Sequence, residues 1–186
     1  MSYYRNYNTP QKNPNAVKGS MKDVAEANGI TLAEAIADAE AILLVDISGS
    51  MAGEPERKAQ EHLTKLQSQF PGALVVLAFN HHAKIHPGGN LPNASGGTDL
   101  AKALKLLHNA DGLELKFILA SDGHPDNPSL AMVEAARFTD KIDCIYLSDD
   151  QMGIDFLKRL ARATGGDFYL DTKNVMLSDV VAKLLT

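Results

Sequence analysis

Asp46-Ile47-Ser48-Gly49-Ser50 places one carboxylate and two hydroxyls within five residues. All three are hard oxygen donors, which suit a hard cation; magnesium takes six oxygens at ~2.0–2.1 Å. Three side chains do not complete such a shell, so other loops must contribute. Two later stretches offer the right atoms. Thr98 follows Ser95-Gly96-Gly97, and Asp122 follows Phe117-Ile118-Leu119-Ala120-Ser121. Asp46, Ser48, Ser50, Thr98 and Asp122 are therefore the candidate metal set, with Mg2+ the expected ion and Mn2+ its substitute. Affinity is expected to be modest, because no single loop supplies several carboxylates in direct contact.

The elements around these residues must bring them together. Asp46 ends the apolar run Ala41 to Val45, which reads as a buried strand of a parallel sheet. Glu54 and Pro55 then open a helix with Ala59, Leu63, Leu66 and Phe70 on one face, stopped by Pro71-Gly72. Ala73 to Phe79 is a second strand. Ala83 to His86 returns after too short a link for a crossover, giving one antiparallel edge strand. Thr98 reads as the N-cap of a helix burying Leu100, Leu104 and Leu107. Leu115 to Ala120 is a strand, Asn127-Pro128 caps a helix to about Thr139, and Ile142 to Leu147 is a strand again. A helix from Gly153 to Thr164, a short strand from Asp167 to Leu170 and a closing helix from about Asn174 to Leu185 complete the chain. Six strands, five of them parallel, with helices on both faces form a doubly wound α/β sheet. Such sheets bind ligands at the carboxyl ends of the strands, where the strand order reverses.

The set Asp-x-Ser-x-Ser, Gly-Gly-Thr and Ser-Asp-Gly, each in its structural context, resembles the metal-ion-dependent adhesion site (MIDAS) of von Willebrand factor type A (vWA) domains. All five positions are filled, and the resemblance runs from about Ala41 to the C-terminus. It implies a Rossmann-like sheet of order 3-2-1-4-5-6, which brings Asp46 and Asp122 to one crevice. It also implies that the serines and often the threonine touch the metal, while the aspartates act mostly through waters. The expected activity is protein binding, with the cation capturing a Glu or Asp of a partner. Many cytoplasmic vWA proteins work with AAA+ ATPases of the MoxR kind, which makes such an ATPase a candidate partner. In several vWA domains the threonine and the final helix also shift between two states; Thr98 and the closing helix match those parts.

Catalysis is the weaker reading. Haloacid-dehalogenase-type phosphatases need Asp-x-Asp after the strand, with the second Asp as general acid; Ser48 stands there instead. The chain has no Gly-x-x-x-x-Gly-Lys phosphate loop and no Gly-x-Ser-x-Gly elbow. A magnesium-dependent phosphotransfer enzyme is the lesser alternative. His124, after Asp122-Gly123, is placed at the rim of the site with Asp126, Asp149 and Asp150, as a set that shapes partner choice. His81, His82 and His86 with Lys84 form a second cluster. No Cys, Asp or Glu lies nearby in sequence to complete a zinc shell, so it reads as a solvent-facing edge blunted by charge.

At 186 residues and 45% apolar, the chain suits one domain over 41–186 preceded by two shorter segments. Residues 1–19 read as a flexible tail and 20–40 as a short helical segment packed on the core or a partner. No apolar run approaches the ~20 residues of a membrane span, and one cysteine, Cys144, cannot form an internal disulfide. A cytoplasmic protein is expected. Residues 1–22 carry four bases and no acid, leaving 14 bases against 23 acids elsewhere. The acidic body argues against nucleic-acid binding except through the tail. The basic tail, with Tyr3, Tyr4, Tyr7 and Arg5, gives the alternative function: a non-catalytic subunit of a phage, defence or nucleoprotein assembly.

Overall fold

The computed structural model of the chain describes residues 35–86, 90–172 and 177–185. The tail at 1–19 and all but the end of the 20–40 segment lie outside the described residues. At that end Ala35 and Ile36 are buried in the core.

The strands are β1 (Ala41–Asp46), β2 (Leu74–Phe79), β3 (Ala83–His86), β4 (Lys116–Ser121), β5 (Ile142–Tyr146) and β6 (Phe168–Leu170). They form one sheet in the order β3-β2-β1-β4-β5-β6, with every pairing parallel except β2 with β3. This is the order expected from the sequence. The helices are α1 (Glu54–Gln69), α2 (Leu100–Leu107), α3 (Pro128–Ala135), α4 (Gln151–Thr164) and α5 (Leu177–Leu185).

Strand alternation sends side chains to two cores. In β1, Ile42 and Leu44 join Leu100, Leu104, Ala131, Ala135, Leu157 and Leu160, so α2, α3 and α4 cover that face. Leu43 and Val45 join Ala59, Leu63, Leu66, Leu177 and Val181, so α1 and α5 cover the other. Every residue of β1 and β2 is buried. Each fully buried Leu, Ile or Val contributes ~1.5–3 kcal/mol, so these two strands are a main source of the fold's stability. Asp46 and Ser121 close β1 and β4, the strands between which the order reverses.

Four local expectations are corrected. Asp99, not Thr98, caps α2: its side chain accepts the Lys102 N–H. α3 stops at Ala135 because the Asp111 carboxylate takes the Thr139 and Asp140 N–H groups and pulls the chain away. α4 begins two residues early, since Asp150 accepts from the Met152 and Gly153 amides. The fourth concerns the edge strand: Lys84 is exposed, but His86 is only 8% exposed, so β3 is not solvent-facing throughout.

Candidate metal centre

Asp46 is 1% exposed, and both of its oxygens are engaged. The Ser48 N–H donates to Oδ1 at 2.9 Å, closing the loop on itself, and the Ser121 hydroxyl donates to Oδ2 at 2.6 Å from the neighbouring strand. Ser48 sits at the start of a short 3-10 turn, Gly49–Met51, yet its side chain makes no cap hydrogen bond. Its Oγ instead lies 3.0 Å from Ser50 Oγ. Ser48 is buried and Ser50 exposed, so this hydroxyl pair opens from the sheet end toward solvent.

The Gly-Gly-Thr loop is stitched to the first loop by backbone bonds from Gly49 N–H to Gly96 C=O and from Ser95 N–H to Ile47 C=O, both 2.9 Å. Two side chains hold it from outside. His81 Nε2 accepts the Gly97 N–H at 2.9 Å, and Asp126 Oδ2 accepts the Thr98 N–H at 2.9 Å. Both press so close that a Cβ on Gly97 would stand 2.5 Å from Asp126 Oδ2 and 2.6 Å from His81 Cε1. A side chain there would have to displace one of the two. Thr98 is buried, and with Asp99 capping α2 its hydroxyl is left out of the cap.

Asp122 is buried and turns Oδ1 to the His124 N–H at 3.1 Å. The Asp126 N–H donates to the Thr98 C=O at 3.0 Å, so the third loop locks onto the second. Hydrogen bonds thus tie together the three loops that carry Asp46, Ser48, Ser50, Thr98 and Asp122. Asp126 is a clamp on Thr98, Asp150 caps α4 and pairs with His124 Nε2 at 2.9 Å, and Asp149 is exposed. Next to His124 a cavity of about 380 Å³ opens between Pro125, Met152, Phe156 and Arg159.

No family model and no curated protein matches the sequence. Solved structures do match the fold. A von Willebrand factor type A structure from Catenulispora acidiphila superposes with a TM-score of 0.61 at 20% identity, over 79% of this chain and 42% of that one. An aerotolerance-related membrane protein from Bacteroides fragilis NCTC 9343, with multiple mutations to serines, gives 0.56 at 14% identity, over 79% of this chain and 96% of that one. The SpRpn10 VWA domain gives 0.51 at 12% identity, over 78% and 94%. The fold is that of a vWA domain.

Within this vWA fold the donors suit a small hard cation. Neighbouring oxygens of an octahedron of ~2.1 Å radius lie ~3.0 Å apart, the separation of Ser48 and Ser50 Oγ. Among the described residues no three His, Cys, Asp or Glu side chains gather into a metal-binding group. Burial is the main influence on the Asp46 carboxyl; despite the Ser121 and Ser48 hydrogen bonds, and with the Asp122 charge adding to burial, its pKa is pushed up to about 6. A buried carboxylate pushed up by burial and a like charge is a place where a cation is favoured. Sequence reasoning passed over Ser121 and did not foresee that His81 and Asp126 clamp the Thr98 loop. Ser121 was legible as a hydroxyl at a strand end beside Asp122; the two clamps depend on which loops meet, which no local pattern reveals.

Proposed function

We propose that this chain is a protein-binding module in which Mg2+, or Mn2+ in its place, held by Asp46, Ser48, Ser50, Thr98 and Asp122, captures an acidic side chain of a partner protein. One observation carries the reading: the Ser48 and Ser50 hydroxyl oxygens stand 3.0 Å apart on the loop that follows an Asp46 whose two oxygens are both tied back. Ser48, Ser50 and Thr98 would offer neutral oxygens, and Asp46 and Asp122 would place negative charge behind them. When bound, the cation supplies a positive centre that three neutral donors leave largely uncompensated, and a carboxylate is its natural complement. Asp46 stays anchored through Ser48 and Ser121, and His81 and Asp126 hold the Gly97–Thr98 backbone beside the first loop.

The reading is non-catalytic. Ser48 occupies the position a phosphotransfer site fills with a general acid, and burial raises the Cys144 thiol far above its ordinary range, leaving it a core side chain. An AAA+ ATPase is the class of partner this reading favours. Calorimetry with Mg2+ and Mn2+ on wild type and Asp46→Ala tests it. Wild type should bind and the variant should lose at least tenfold in affinity; equal binding by both refutes the site. For any partner so identified, replacing the captured Glu by Gln should weaken binding as much as EDTA does, by ~2–5 kcal/mol.

A further inference from the structure

β3 is the outer strand of the sheet, and among the described residues no strand pairs with its far edge. The register with β2 runs Val76 to His86, Leu77 to Ile85, Ala78 to Lys84 and Phe79 to Ala83, and the Asn80 N–H donates to the His82 C=O. In an antiparallel ladder alternate pairs exchange both hydrogen bonds. His82, Lys84 and His86 therefore direct their backbone groups to β2, and Ala83 and Ile85 turn N–H and C=O outward. The side chains divide the same way. Ala83 and Ile85, both half-buried, lie on the face packed by α2. His82, Lys84 and His86, whose side chains take the other face, line a cavity of about 250 Å³ with Asn80, Pro92 and Ile47 of the metal loop, and Ile85 borders it too. No acidic side chain lines that cavity, although the chain as a whole carries −5, and among the described residues Lys84 enters no ion pair.

We propose that the β3 edge docks an extended segment of another protein in which acidic and apolar residues alternate, its acidic side chains entering the basic cavity beside Ile47. An added strand would hydrogen-bond to the outward groups of Ala83 and Ile85, the β-augmentation mode of peptide recognition. Side chains of a strand alternate between faces. Residues opposite Ala83 and Ile85 thus cover their half-buried side chains, and those opposite His82, Lys84 and His86 face the cavity. A lysine on an edge strand ordinarily deters pairing. Here the same lysine, set among imidazoles and a side-chain amide, rejects basic and wholly apolar strands but favours an acidic one, so the deterrent becomes a selector. This site shares no donor with the candidate metal centre and does not depend on a cation.

The probe is a fluorescent peptide Gly-Glu-Val-Glu-Val-Glu-Gly, titrated into the full chain by anisotropy and by amide NMR. Three comparisons accompany it: an isomer with the order Glu-Glu-Glu-Val-Val, the same peptide N-methylated at both valines, and the Lys84→Glu variant, whose exposed site leaves folding intact. The alternating peptide should shift the Ala83 and Ile85 amides and slow their exchange. N-methylation should abolish binding, and Lys84→Glu should weaken it roughly three- to tenfold. EDTA should change nothing. Equal binding of the two isomers, equal binding by Lys84→Glu, no shift at Ala83 and Ile85, or loss with EDTA would each overturn the proposal. Loss with EDTA would leave the metal reading standing, and equal Mg2+ binding by wild type and Asp46→Ala would leave this one standing.

Discussion

Asp171→Asn should destabilise the domain by about 2 kcal/mol at neutral pH, and the loss should fade in acid. The Asp171 side chain, 3% exposed, follows β6 and ties three elements together. Its Oδ1 accepts the Leu177 N–H at the start of α5 at 2.9 Å and lies 3.0 Å from His62 Nε2 on α1, and Lys58 Nζ stands 3.4 Å from Oδ2. Asparagine keeps the size and one acceptor oxygen, so the contact to α5 survives. What goes is the charge. A hydrogen bond to a charged group contributes ~1.5–3 kcal/mol against ~0.5–1.5 for a neutral one, so the His62 contact loses about 1–1.5 kcal/mol. Lys58 can turn to water, and its share is about 0.5 kcal/mol. For a domain of this size the total corresponds to a melting shift of roughly 4–8 °C.

The pH dependence follows from the same contacts. Burial alone would raise the Asp171 carboxyl, but the His62 ring, the Leu177 N–H and the Lys58 charge outweigh it and hold its pKa below the ordinary value. A depressed folded pKa means stability that is complete above the unfolded value, near ~3.9, and lost as pH falls through the folded one. Urea unfolding of wild type and variant at pH 7, 5 and 3.5 reads this directly. The gap between the two should be full at the first two and narrower at the last. A variant within about 0.5 kcal/mol of wild type at pH 7 would refute the reasoning, as would a gap that does not change with pH.

Gly97→Ala should swing either His81 or Asp126 away from the Thr98 loop, weakening Mg2+ affinity and lowering stability by about 1–2 kcal/mol, read by calorimetry and melting. Ser121→Ala should remove the 2.6 Å bond to Asp46 and an acceptor for the Gly123 N–H, costing about 2–3 kcal/mol in urea unfolding at neutral pH. Asp99→Ala should cost about 1 kcal/mol of stability through the lost α2 cap while leaving metal affinity unchanged. Thr98→Ala should do the reverse, sparing stability and weakening partner binding more than metal binding; calorimetry on both variants separates the two roles.

Periodicity and punctuation made most of this fold legible. The unbroken apolar runs of β1, β2 and β4 are buried on both faces, as parallel strands must be, and the short Asn80–His82 link admits only a hairpin. The errors fall where a distant group decides a local boundary. Nothing in Ala136 to Thr139 announces that α3 has ended, because the carboxylate that ends it belongs to Asp111, on the far side of β4. Thr98 and Asp99 both have cap chemistry, and the cap is settled by the Asp126 carboxylate that already holds the Thr98 amide.

The candidate site divides along the same line. Its donors are legible because their chemistry is carried by residue type: hydroxyls and carboxylates at strand ends, on the loops where the sheet order reverses. Their orientation is not, because it is imposed by groups that donate or accept only once the loops have met. His81 reads in sequence as the turn member of a histidine cluster, yet its ring accepts an amide of the loop that carries Thr98. Asp126 reads as a rim charge, yet its carboxylate and its own N–H both bind the Thr98 backbone. The neighbouring glycines make the point from the other side. Gly96 at φ +78° and Gly97, with no room for a Cβ, are what allow the His81 ring and the Asp126 carboxylate to close on the loop. A donor set can thus be read from the chain alone, but its pre-organisation depends on contacts between residues 16 to 28 positions apart. That dependence is why a clamp variant such as Gly97→Ala should impair metal binding while every donor side chain remains in place.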